Sequence, residues 1–208
     1  MKRKNKGFSL IEVAIAVLVI SLIATFSLKG RDLVQTAKLR ATIDQVEAFK
    51  VAIYSFSERY GTLPGDLSNA KDLIDDSLEN GRGAGDISSI ADAKRFWSHL
   101  SKAGLLTTEM QNGFPTAKCG GYFYVSSNVS GFPGTWIILS KGSSDNQHFS
   151  GVLSPTNAHY IDKSIDTGLP EEGDVRVLKA HNASGDVISG TSYNFRNKNE
   201  DCVVLFKF

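Results

Sequence analysis

Residues 7–28 read GFSLIEVAIAVLVISLIATFSL, and the fold turns on them. From Phe8 to Leu28, 16 of 21 residues are apolar; the exceptions are three Ser, one Thr and Glu12. At about 1.5 Å per residue such a helix is roughly 30 Å long, the thickness of a bilayer's hydrocarbon core. Lys2, Arg3, Lys4 and Lys6 precede it. The positive-inside rule keeps them in the cytoplasm, so the chain after Leu28 is expected across the membrane, N-in and C-out. A secretory signal peptide shares the basic start, but this apolar run is longer than its core, lacks an A-x-A site and carries a carboxylate in its first turns.

That carboxylate is informative. An acidic side chain inside a spanning helix is costly unless something cationic meets it. No Lys or Arg lies between Phe8 and Leu28, so the cation must come from outside the span. The rest of the composition is ordinary for a folded chain of 208 residues: 41% hydrophobic, 22% charged, formal charge +1. The only concentrated basic element is residues 1–7; without it, 19 Lys and Arg face 22 Asp and Glu. This balance argues against nucleic acid as a partner, and the length against a large multi-domain enzyme.

Gly7-Phe8-Ser9-Leu10-Ile11-Glu12, behind a short basic leader and ahead of an apolar helix, resembles the prepilin cleavage and methylation motif of type IV pilins and type II secretion pseudopilins. The resemblance implies that a prepilin peptidase cuts between Gly7 and Phe8 and methylates the amino group of Phe8. It also implies that an inner-membrane assembly platform moves the subunit into a helical filament of like copies. Cutting there removes the leader charges and creates an α-ammonium at the head of the helix, where a neighbouring copy's Glu12 can pair with it. A displaced neighbour leaves both charges unpaired in apolar surroundings, so the pair also selects register.

Between Phe8 and Tyr60 there is no proline and one glycine, Gly30, so a single helix roughly 80 Å long is expected, with Gly30 its likeliest bend. Its second half, residues 29–60, places Leu39, Ile43, Val46, Phe49, Ile53, Phe56 and Tyr60 at spacings of 4, 3, 3, 4, 3 and 4, an amphipathic stripe suited to a core. Residues 61–208 read as an α+β globular part. Short helices are expected at Ala70–Leu78, Asp86–Gly104 (with Asp86 as N-cap) and Pro155–Asp162, and strands at Tyr122–Ser126, Thr135–Ser140, Val175–Lys179 and Val203–Phe208. The expected architecture is therefore α+β, a long helix laid on a small antiparallel sheet, which is also the pilin architecture.

Cys119 and Cys202 fall on the oxidising side of the membrane, where pairing is expected; the bridge would close 84 residues, and the resemblance points the same way. Asp162, Asp166, Glu171, Glu172 and Asp174 form an acidic cluster that fails as an EF-hand, with Thr167 at the glycine position and Gly173 at the twelfth. Since major pseudopilins bind calcium in a C-terminal loop, the cluster reads either as a calcium site built on Asp162, Asp166 and Asp174 or as a solvated turn. Gly81-Arg82-Gly83-Ala84-Gly85 lacks the strand and Lys-Ser/Thr of a phosphate loop and reads as a linker. His99, His148, His159 and His181 are scattered, with no HExxH spacing, and no GxSxG occurs; they read as surface or helix-face residues, and no enzyme is expected. The sequence thus supports a pilin or minor pilin needing no cofactor. A secretion or competence pseudopilin, or an uncleaved membrane-anchored binding module, is the alternative.

Overall fold

The computed structural model describes residues 7–145 and 148–208. The basic side chains expected of the leader lie outside those residues. The chain divides into two compact units, Met1–Lys38 and Leu39–Phe208. Helix α1, Leu10–Tyr60, contributes to both and is continuous through Gly30. It ends where glycine permits the left-handed turn: Gly61 has φ +71° and donates its amide to Ser57 O at 2.9 Å.

The second unit adds α2 (Ala70–Leu73), α3 (Ile90–Lys102), β1 (Met110–Gln111), β2 (Phe114–Pro115), β3 (Tyr122–Ser127), β4 (Thr135–Ser140), α4 (Pro155–Ile165), β5 (Val175–Lys179), β6 (Ile188–Ser189), β7 (Ser192–Tyr193) and β8 (Cys202–Lys207). The main sheet is antiparallel with order β3-β4-β8-β5, which puts the C-terminal strand in the interior; β1-β2 and β6-β7 are separate small hairpins. Register aligns Phe123, Leu139, Val204 and Val177 in one row and Val125, Ile137, Phe206 and Val175 in the next, on one face. Ile137, Ile138 and Leu139 are all fully buried, so β4 is covered on both sides. Two-sided burial explains why β4 and β8 read as nearly continuous apolar runs rather than alternating ones.

The stripe on α1 supplies the other side of the core. Leu39, Val46, Phe49, Ile53 and Phe56 are buried, and Phe49 meets Trp97 of α3 and Phe123 of β3 edge to face, at 4.9 and 5.0 Å between centroids. Polar residues on α1 hold the chain leading into β3: Gln45 accepts from Lys118 N and donates to Thr116 O, each at 3.0 Å, and Thr42 Oγ1 accepts from Cys119 N at 3.0 Å.

Three helix boundaries differ from expectation. Helix α3 starts later because Ser89, not Asp86, is its N-cap: Ser89 Oγ accepts from Asp92 N at 3.1 Å while Asp92 Oδ2 accepts from Ser89 N at 3.0 Å, a reciprocal capping box. Asp86 pairs instead with Arg82, at 2.9 Å. Helix α4 continues past Asp162 to Ile165, because the Asp162 side chain is buried and bonded within the core. Helix α2 stops at Leu73, short of Leu78.

Candidate functional site at the head of the long helix

Gly7 and Phe8 precede the first helical residue, Leu10, outside any helix or strand, and Phe8 is 86% exposed. Gly7 needs no special backbone angle, and a Cβ built there meets nothing within 4 Å. The protein's own fold therefore does not require glycine at position 7. Ser9 is the N-cap of α1 and Glu12 its third helical residue. Ser9 N donates to Glu12 Oε2 at 2.8 Å and Glu12 N donates to Ser9 Oγ at 3.3 Å, a second capping box. The span offers Glu12 no cation of its own. The structure gives one of its oxygens an amide donor, and the Ser-x-x-Glu spacing ahead of an apolar run was the signal for it.

Along the following turns the apolar side chains are exposed, Leu10 at 92% and Ile20 at 65%. The hydroxyls among them are internally satisfied: Ser21 Oγ donates to Val17 O at 2.7 Å and Thr25 Oγ1 to Ser21 O at 2.9 Å. Such back-bonding lets a polar residue sit in hydrocarbon without an orphaned donor. The first half of α1 is long and apolar enough to cross a membrane, which fits a membrane-anchored protein.

The other sequence candidates are placed apart from this segment. The structure shows no bridge between Cys119 and Cys202, so the expected disulfide has no support from it. Cys119 lies in the loop before β3, tied to α1 through Thr42, whereas Cys202 opens β8, opposite Lys179. Burial pushes the Cys202 thiol up to about 12, with the Asp201 charge adding to the effect. Cys202 is thereby held protonated.

Nor do Asp162, Asp166 and Asp174 form an oxygen cage. Asp162 faces inward, accepting Tyr193 Oη at 2.7 Å and Gly168 N at 3.1 Å. Burial pushes its carboxyl above the ordinary range, against those two bonds. Asp166 Oδ2 accepts the amides of Asp174 and Val175. Among the described residues, no three His, Cys, Asp or Glu side chains are placed to hold one metal ion. The glycine-rich loop binds a carboxylate of its own chain: Asp66, 4% exposed, accepts Ala84 N at 2.8 Å and Gly85 N at 2.7 Å.

Comparison with known families bears on the N-terminal segment. Residues 2–28 match the model described as the prokaryotic N-terminal methylation motif, the hallmark of type IV pilin and pseudopilin precursors. No curated protein and no solved structure matches the chain. The chain is therefore pilin-like in its N-terminal segment, and it joins that segment to an α+β unit with a small antiparallel sheet.

Proposed function

We propose that this chain is a structural subunit, a pilin or minor pilin, of a type IV pilus-like filament. A prepilin peptidase cuts it between Gly7 and Phe8 and methylates Phe8, and the subunit polymerises through the Phe8–Leu28 half of α1. The observation that carries this reading is coincidence: the methylation motif falls on the same residues as an exposed apolar helix with a carboxylate at its head. Before assembly the bilayer covers those side chains; in a filament, the same half of other copies does.

The geometry of Glu12 supports a role in assembly. One oxygen, Oε2, is held by the Ser9 amide, which fixes the carboxylate at the helix terminus. The other oxygen is assigned to the α-ammonium that cleavage creates on a neighbouring copy. In a setting from which lipid and packed helices exclude water, that pairing penalises wrong staggers more than it adds net stability.

Mass spectrometry of the N-terminal peptide tests the processing: the mature chain should begin with methylated Phe8, and a chain that keeps Met1 is an uncleaved anchor. Glu12→Lys tests the assembly step. It should abolish filaments while the circular dichroism of the α+β unit stays unchanged, and normal filaments from this variant would refute the charge pairing.

A further inference from the structure

Two histidines that the filament reading leaves unused meet at one edge of the sheet. After β4 the chain turns back on itself: Ser150 N donates to Gly142 O at 2.8 Å, Lys141 N to Ser150 O at 3.2 Å, and Ser143 bridges Phe149. Ser140 Oγ braces the turn, 2.7 Å from both Gly142 O and Ser150 O. Beyond β5, His181 donates its amide to Phe149 O at 2.9 Å, which seats it beside the returning limb. The rings of His148 and His181 consequently meet edge to face, 5.1 Å between centroids. They border a cleft of about 300 Å³ whose wall includes Leu178, Lys179 and Val203.

Asp145 sets the chemistry of the pair. Its Oδ1 accepts the backbone amide of His148 at 2.8 Å, and its Oδ2 lies 2.7 Å from His148 Nδ1. A carboxylate there makes Nδ1 the protonated nitrogen and leaves Nε2 with its lone pair, the arrangement in which histidine binds metals. The remaining histidines are engaged otherwise: His99 uses both ring nitrogens inside the core, and His159 is packed between Tyr193 and Phe195. Lys179 is the cation in the cleft wall that opposes a metal, and its ammonium is paired with Asp186 at 2.7 Å.

We propose that His148 and His181 form a two-imidazole site for a divalent transition-metal cation such as zinc, with Asp145 as the carboxylate behind His148 and water completing the coordination. Imidazole is the ligand such cations prefer among neutral side chains, and zinc–nitrogen distances of about 2.0–2.1 Å require ring nitrogens within about 4 Å of each other. Two exposed rings already in edge contact reach that by small side-chain rotations. With two protein ligands rather than three or four, affinity is modest. A bound cation ties the turn after β4 to the segment after β5.

Titration of zinc chloride into the full-length protein, stripped with chelator and held in detergent micelles, tests this by calorimetry and thermal melting. One saturable zinc per chain is expected, with a raised melting midpoint. His148→Ala and His181→Ala should each weaken binding at least tenfold, and Asp145→Asn by about 10–100-fold, as for other carboxylates behind metal-bound histidine. His159→Ala should change nothing. Absence of saturable binding overturns the proposal, and so does undiminished binding by the His148→Ala/His181→Ala double variant or loss of binding in His159→Ala.

Discussion

Gly65 donates its amide to Nδ1 of His99 at 3.0 Å, and the opposite nitrogen lies 2.9 Å from the carbonyl of Glu79. The first contact needs a lone pair on Nδ1 and the second a hydrogen on Nε2, so the ring is neutral. Burial is the main cause that pushes its pKa below the usual value; the Glu79 contact opposes this and the Arg95 charge reinforces it. Because the folded value is depressed, the stability from the neutral ring is complete above the unfolded value near 6.5 and is lost as pH falls through the folded one. The melting midpoint should therefore decline between pH 7 and pH 5, and His99→Gln, which keeps one acceptor and one donor, should flatten that slope. Equal slopes in circular dichroism melts of the two proteins would remove His99 as the cause. Sequence reading took this histidine for a surface or helix-face residue, since its partners lie 34 and 20 positions away and no local spacing marks them. Asp66 and Asp162 were illegible for the same reason. Glu12 differed because its context, Gly7, Phe8 and the apolar run, is contiguous.

Phe49 occupies the point where α1, α3 and β3 meet, buried and packed edge to face against Trp97 and Phe123. Phe49→Ala should cost about 3–5 kcal/mol, through lost transfer energy and the cavity left behind. For a chain of this size that lowers the melting midpoint by about 6–20 °C. Ile20→Ala, in the exposed half of the same helix, should leave the midpoint of the globular unit unchanged while weakening filament formation. A comparable drop from both variants would show that the two halves do not play separate parts. The helix and the four main strands were readable because each carries its period over many residues or is a run of β-branched and aromatic side chains bounded by turns. The two-residue strands of β1-β2 and β6-β7 were not, since a pair of residues has no period. The start of α3 differs because Ser89 and Asp86 compete for one cap: Asp92, three residues after Ser89, completes a reciprocal box, while Asp86 is drawn to Arg82.

Every buried apolar side chain of the core comes from Leu39 onward, whereas the described apolar side chains before residue 26 are exposed. The chain thus combines an enclosed core with a helical segment whose apolar surface is left for lipid or for other copies. This division predicts how the protein responds to truncation. A chain beginning at Lys29 should dissolve without detergent, remain monomeric in sedimentation, and show the helix-and-sheet circular dichroism of the globular unit with a cooperative melt. The full-length chain should require a membrane or micelles and associate on their removal. Leu33 and Val34, 71% and 56% exposed, stay in the truncated chain, but charged Lys29, Arg31, Asp32 and Lys38 surround them and keep the apolar patch small. Aggregation of this fragment, or loss of its cooperative melt, would mean that residues before Lys29 complete the core. Filament formation by the fragment would contradict assembly through the Phe8–Leu28 helix and so would count against the proposed function itself.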